Sequence, residues 1–402
     1  MRYKTISSSF GDNIHVTISG GSHEPHISVE IIGMPKGIAI DTKELNSFMQ
    51  RRAPGNSVFA TPRKEPDIPE FISGVRAVIS TNSVASAEAP SPDLLHDNQT
   101  LITTGEPLKA IIKNTNTRSS DYASLRDVPR PGHADYTARI KYGETVNMSG
   151  GGPFSARMTA PLCIAGGIAL QILKRKGIYI GAQIQSVGQV QGMSFNPLGA
   201  NIHQLEQLKT STFPTLDEKQ GILMQQEILK AKDENDSVGG VVEAIAIGLP
   251  AGLGGPMYDG LESKLAPILF GIPAVKGVEF GNGFEAATLR GSQNNDPFAI
   301  GTNLAIPSSD ETRTIMTTTN NHGGILGGIT SGMPLICRLA FKPTPSIGKL
   351  QQSVSISKME PEALKIQGRH DPCVAVRAVP IVEAALAIGI LDLSSDNINK
   401  KE

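Results

Sequence analysis

Two stretches of this chain carry the same order of strand, turn and helix, and that internal likeness limits the fold more than any other feature. Residues Ser28 to Ile32 alternate and are rich in β formers, Gly33-Met34-Pro35-Lys36-Gly37 turns the chain, and Asp41 or Thr42 can cap a helix through Arg52. Much later, Val241 to Ile247 makes a second apolar strand, Gly248-Leu249-Pro250-Ala251-Gly252 a second turn, and about Glu262 to Phe270 a second helix. A further pair agrees: Ala156-Arg157 leads into an apolar helix over Thr159 to Leu173, and Val376-Arg377 into another over Val379 to Leu391. The steps from Gly33 to Gly248 and from Arg157 to Arg377 are nearly equal, so the chain reads as an internal duplication of roughly half its length. No Ser/Pro linker or low-complexity break separates the copies. One α+β domain over residues 1–402 is expected, with pseudo-repeats of approximately 1–200 and 201–402. The charged, helix-prone stretch from His203 to Asp236 is expected to be a solvated excursion between them.

Charge sets the class of partner. Lys and Arg number 37 against 38 Asp and Glu, so no global field draws in nucleic acid or an acidic membrane, and any anion site has to come from local clustering. Small-molecule partners follow. Cys163, Cys337 and Cys373 form no CxxC pair, which suggests neither a disulfide framework nor a structural zinc site. Met1-Arg2-Tyr3-Lys4-Thr5 leads into polar Ser and Gly, no secretory signal is seen, and no stretch is expected to span a bilayer, all of which reads as a cytoplasmic protein.

Several segments combine stiff or glycine-rich backbone with chemistry-bearing side chains. In Arg130-Pro131-Gly132-His133-Ala134-Asp135-Tyr136, Pro131 and Gly132 hold a kinked support for His133, with an anion-gripping guanidinium three residues away. The same loop also reads as a surface turn with a hydrogen-bonded His. Gly20-Gly21-Ser22-His23 places a second His on flexible backbone; His26 nearby lacks a third convincing partner for a metal. Arg51-Arg52-Ala53-Pro54-Gly55, followed by Arg63-Lys64-Glu65, is locally basic, suited either to a phosphate or to a helix C-terminus. Gly150-Gly151-Gly152-Pro153-Phe154-Ser155-Ala156-Arg157 approaches a helix start where amides can cradle an anion, without the Gly-Lys-Ser/Thr ending of a nucleotide loop. Near the C-terminus stand Lys342-Pro343-Thr344-Pro345-Ser346 and Gly368-Arg369-His370-Asp371-Pro372-Cys373, the latter either an acid–base group or an Arg–Asp turn.

In their order and number these segments, together with Gly281-Asn282-Gly283-Phe284, Arg290-Gly291-Ser292-Gln293 and Gly323 to Gly328, resemble chorismate synthase over nearly the whole chain. The resemblance implies antiparallel sheets sandwiching inner helices with internal pseudo-twofold symmetry, a homotetramer, and an external source of reduced FMN. It implies a 1,4-anti elimination of phosphate from 5-enolpyruvylshikimate-3-phosphate to give chorismate. By the same resemblance His23 protonates the leaving phosphate, His133 acts beside the flavin, and Asp371 helps take up the substrate proton. Arg51, Arg52, Arg130, Arg157 and Arg369 would bind substrate, and Ser155, Ala274, Gly327, Lys342, Pro343, Thr344, Pro345, Ser346 and Arg369 would bind FMN. No metal is implied.

The chain departs from the family pattern at Ala53 and Val58, where Arg is usual, at Pro153-Phe154, where Arg-Ser is usual, and at Pro273, Pro345 and Asn320-Asn321-His322. The first motif also carries Gly21 and Glu24 in place of Glu and Gly. These positions leave open a paralogue that keeps the fold for binding or assembly, and a related elimination on another phosphorylated acid.

Overall fold

The computed structural model describes residues 5–55, 57–61, 65–78, 99–115, 124–302, 313–366 and 370–395. The chain divides into two compact units: the first comprises Met1–Ile168, Ile228–Val238 and Pro343–Cys373, the second Ala169–Glu227, Gly239–Lys342 and Val374–Glu402. Each unit is built on a five-stranded antiparallel sheet. In the first unit the strands are β1 (Ser7–Phe10), β2 (His15–Gly20), β3 (His26–Ile32), β4 (Glu70–Ser73) and β5 (Leu108–Lys113), in the spatial order β1-β2-β3-β5-β4. In the second they are β6 (Tyr179–Val187), β7 (Val190–Gln191), β8 (Gly240–Ile247), β9 (Val275–Phe280) and β10 (Leu335–Phe341), in the order β7-β6-β8-β10-β9. The four strands β2, β3, β5, β4 therefore follow the same path as β6, β8, β10, β9.

Alternation along the strands explains why the first sheet has one buried side. Ile27, Val29 and Ile31 of β3 face inward and lie in register with Ile112, Ala110 and Leu108 of β5, all of them buried. Their β-branched and aliphatic side chains fill one pleated face, which fixes the register, since a slip of one residue would expose the set. The turns after β3 and β8 have a common cause as well: Gly33 and Gly248 have φ of 90° and 82°, and a Cβ on either would strike a backbone carbonyl, that of Asn13 or of Gly177.

Helix α1 (Thr42–Arg52) follows β3, with the Asp41 side chain accepting from the Glu44 N–H at 3.0 Å as its N-cap and with Arg51 and Arg52 in its last turn. Leu45, Phe48 and Met49 form its buried stripe. Next come α2 (Asp135–Tyr142) and α3 (Thr159–Arg175), then α4 (Ile202–Thr210), α5 (Glu218–Asp233), α6 (Leu261–Phe270), which follows β8 as α1 follows β3, and α7 (Ala375–Ser395). Helix α7 begins a few residues ahead of the stretch read from Val379 and carries Pro380 in its second turn, where the ring removes the N–H that would bond the Val376 carbonyl.

Two expectations are corrected. The segment Ala156–Arg175 is long and apolar enough to cross a membrane, contrary to the reading that no stretch is, and 89% of the apolar window is buried inside the fold. The excursion from His203 to Asp236 is not wholly solvated. Leu205 and Leu208 of α4 pack with Phe195, Ile245, Ile247 and Ile336 against the second sheet, because the three-residue spacing of these leucines gives the charged helix an apolar stripe to bury.

Candidate functional site

The three consecutive glycines Gly150, Gly151 and Gly152 organise the site, and it lies in the first unit. Their φ values are 63°, 92° and 52°, a run that side-chain-bearing residues do not adopt at low cost, and Pro153 ends it. The curl brings two histidine rings onto adjacent residues. A Cβ on Gly150 would collide with the His23 ring, and one on Gly151 would stand 3.1 Å from both Cε1 and Nε2 of His133. Residues far apart in sequence, His23 and His133, thus meet one loop.

Each ring is held from behind. The Ser22 hydroxyl donates to the Ser149 carbonyl at 2.9 Å, so toward His23 Nδ1, 3.2 Å away, it presents a lone pair and Nδ1 is the donor. The Ser22 N–H also donates to the Gly152 carbonyl at 3.2 Å, tying the His23 loop to the glycine run. On the other side, the Arg130 Nε donates to Asp135 Oδ2 and its Nη2 to Asp135 Oδ1, both at 2.7 Å, and its Nη1 donates to the Ser346 hydroxyl at 3.1 Å. His133 Nδ1 lies 3.1 Å from Asp135 Oδ1 and 3.1 Å from Arg130 Nη2. Burial works to raise the Asp135 pKa, but the hydrogen bonds and charges of Arg130 and His133 outweigh it and hold the carboxyl well below the usual range.

Beneath this lies a buried ionic block. Arg52 and Arg157 both donate to Asp67, Arg157 Nη2 is also 2.7 Å from Glu65 Oε2, and all four residues are at most 5% exposed. Arg52 further donates to the Thr159 hydroxyl and the Ala156 carbonyl, each at 3.1 Å. Arg157 Nε donates to Asn114 Oδ1 at 3.0 Å, and Asn114 Nδ2 donates to the carbonyls of Gly21 and Glu24 at 3.2 and 2.7 Å. The block therefore grips both the loop that carries His23 and the start of α3. Burial and the adjacent Arg52 lower the Arg157 pKa against the pull of Asp67 and Glu65.

The remaining expected site residues fall into distinct settings. Asp371 accepts from the Thr61 N–H at 2.8 Å. The Arg51 guanidinium lies over the Phe48 ring, 5.6 Å from its centre. Ser155 caps the turn before α3, accepting from the Arg157 N–H at 3.2 Å, and the Thr344 carbonyl accepts from the Ser237 hydroxyl at 2.7 Å. Pro343 and Pro345 flank Thr344 in the first unit, and Arg369 lies outside the described residues. In the second unit, Gly327 turns the hairpin between Ile325–Leu326 and Ile329–Thr330, with open space where its Cβ would be. Ala274 has φ of 76°, unusual for a residue with a Cβ, and its carbonyl accepts from the Lys342 N–H at 3.0 Å. Burial and the nearby Lys276 depress the Lys342 pKa.

At the altered positions, Ala53 is buried, Val58 is 65% exposed, and Phe154 packs a tilted ring 6.2 Å from that of Tyr142. Among the described residues no three His, Cys, Asp or Glu gather as metal ligands would.

The donor sets suit the phosphate-bearing flavin that the resemblance implies. Lys276 and Lys342, close to the positive-φ residue Ala274 in the second unit, and the Ser346 hydroxyl held by Arg130 in the first, are groups that bind anions. Sequence reasoning assigned no role to Asp67, Asn114, Thr61, Asp135 or Ser22. The available signal was Glu65-Pro66-Asp67, two carboxylates on one side of an extended segment just after a basic cluster.

Among curated proteins, the chorismate synthase of Lancefieldella parvula is 42% identical over 397 residues, covering 96% of each chain. That of Thermococcus kodakarensis is 41% identical over 382 residues, 95% of this chain and 96% of its own. That of Dehalococcoides mccartyi is 41% identical over 390 residues, 97% of each. A crystal structure of chorismate synthase matches the fold with a TM-score of 0.66 over 99% of this chain and 93% of its own, at 24% identity. With the chorismate synthase family model matching residues 14–89 and 92–394, the chain belongs to the chorismate synthase family of carbon–oxygen lyases.

Proposed function

We propose that the chain eliminates phosphate from 5-enolpyruvylshikimate-3-phosphate to give chorismate, with reduced FMN bound. The observation that carries this reading is the meeting of His23 and His133 on Gly150 and Gly151. A 1,4-elimination needs an acid at the departing phosphate and a proton acceptor on the far side of the ring, so two imidazoles on one rigid loop meet its first requirement. Ser22 holds the Nδ1 proton of His23, so the imidazolium carries its second proton on Nε2 and passes it from there to the phosphate. Asp371, held by the Thr61 N–H, is assigned to help take up the substrate proton.

Reduced FMN, when bound, would supply electron density that eases C–O cleavage in a reaction with no net redox change. In the first unit Ser155, Pro343, Thr344, Pro345 and Ser346 are assigned to its binding, and in the second unit Ala274, Gly327 and Lys342. Of the five arginines, Arg51 and Arg369 are assigned to substrate anions. Arg52, Arg130 and Arg157, matched by Asp67, Glu65 and Asp135, are assigned to shaping the pocket electrostatically from behind.

The test is an anaerobic assay with the enolpyruvyl phosphate and chemically reduced FMN. Chorismate and one equivalent of phosphate are expected; folded, flavin-loaded protein that yields neither overturns the reading. The same reading carries a cytoplasmic homotetramer fed with reduced flavin from outside, which light scattering and an assay with NADPH alone examine.

A further inference from the structure

We propose that Asp135 is the positioning residue for His133, fixing the neutral imidazole as the Nδ1–H tautomer and leaving Nε2 as the nitrogen that exchanges a proton. Its catalytic meaning rests on the function proposed above; the tautomer itself does not.

The geometry forces a choice at one atom. His133 Nδ1 is 3.1 Å from Arg130 Nη2, to which it can relate only as an acceptor, and 3.1 Å from Asp135 Oδ1, to which it can relate only as a donor. Arg130 Nη2 already donates to Asp135 Oδ1 at 2.7 Å. A bare Nδ1 would set its lone pair against a carboxylate oxygen, whereas Nδ1–H gives that oxygen a second donor. The carboxylate is built to stay charged. It is the first residue of α2, where the helix dipole favours an anion, and it accepts from the Arg130 backbone N–H at 3.0 Å as well as from the guanidinium. Arg130 and Asp135 are the charged groups that face the imidazole among the described residues. They carry opposite charges, and the carboxylate is the partner toward which an Nδ1–H points. Nε2 then lies toward Gly151, where a Cβ would be 3.1 Å away, on the loop that His23 also meets. A carboxylate behind Nδ1 with the reactive task left to Nε2 is a recurrent way of aiming an imidazole.

Long-range ¹⁵N–¹H correlation on histidine-labelled protein tests this directly, with the His133 signals identified by their loss in His133→Ala. The wild-type ring is expected as Nδ1–H when neutral. In Asp135→Asn it is expected to shift toward Nε2–H. In the chorismate assay the same variant is expected to lose at least about tenfold in kcat, with KM for the phosphate substrate changed by less than about twofold. A wild-type ring found as Nε2–H overturns the proposal whether or not the variant folds. So does an Asp135→Asn ring with unchanged tautomer. The expected tautomer in protein that makes no chorismate supports the positioning of His133 and overturns the chorismate reading.

Discussion

Arg52 and Arg157 share one buried carboxylate: Arg52 donates to Oδ2 of Asp67 and Arg157 to Oδ1. With Glu65 beside Arg157 the block holds two cations and two anions and is balanced without a ligand. Asp67→Ala would leave two guanidiniums facing each other in a buried site. Removing one partner of such a network costs about 3–5 kcal/mol, and Asp67→Asn is expected to cost less, because an amide oxygen still accepts. Urea denaturation checks this; a loss below about 1 kcal/mol in Asp67→Ala would show that the block contributes little.

Gly150→Ala and Gly151→Ala are expected to separate stability from function. Both introduce a Cβ at a φ that L residues adopt at a cost of about 1–2 kcal/mol, so their backbone penalties are similar. Their neighbours differ: the Gly150 Cβ collides with His23, whereas that of Gly151 meets His133 in close contact. Turnover is expected to fall by at least about a hundredfold in either variant while most of the fold survives, since a proton carrier displaced by an ångström loses its geometry. Near wild-type turnover in Gly150→Ala would remove His23 from the chemistry.

Much of this fold was legible because its signals are local. The Asp41 cap, the end of α1 at Arg52 and the turn glycines Gly33 and Gly248 each act within a few residues, and all stand where the pattern placed them. The kink at Pro131-Gly132 was legible for the same reason, with Gly132 at a φ of 72°, although Asp135 and Tyr136, read as part of the loop, open α2. The partners of the arginines were not. Arg157 meets Asp67 and Asn114, and Asp371 meets Thr61, through folding that no spacing rule encodes. Counting local charge placed Arg52 in a basic cluster, because Asp67, which pairs with it, lies beyond Arg63 and Lys64 and contributes only once the chain closes on itself. The stretch that carries α4 was read as solvated for a related reason: its charge is local, whereas the sheet residues that bury Leu205 and Leu208 come from distant segments.

Asp135 gives the first unit a predictable acid limb. Its carboxyl is held below the ordinary value, so the stability it contributes is complete above the unfolded pKa of about 3.9 and drains away as pH falls below that. The stability gap between wild type and Asp135→Asn is therefore expected to be widest near pH 7 and to narrow below about pH 4. Denaturation midpoints at pH 7, 5 and 3 read this out. A gap that stays constant across the three would mean that Asp135 is no more anionic in the folded chain than in the unfolded one.

Glu243 in the second unit has the opposite sign. It lies on β8 in register with Gln183 of β6 and Arg338 of β10. Its Oε2 accepts from Gln183 Nε2 at 2.9 Å and from the Phe195 N–H at 2.8 Å. Burial raises its pKa, and the bonds from Phe195 and Gln183 and the charge of Arg338 only partly offset this. The folded chain thus binds the proton more tightly than the unfolded one. Stability from the neutral form is complete below the unfolded pKa of about 4.3 and is lost as pH rises through the folded value. Glu243→Gln keeps an oxygen to accept from Phe195 and carries no charge to desolvate, so relative to wild type it should become steadily more stable between pH 4 and 8. Thermal melts across that range test it: a difference independent of pH would show that the paired donors and Arg338 offset the burial of Glu243 completely.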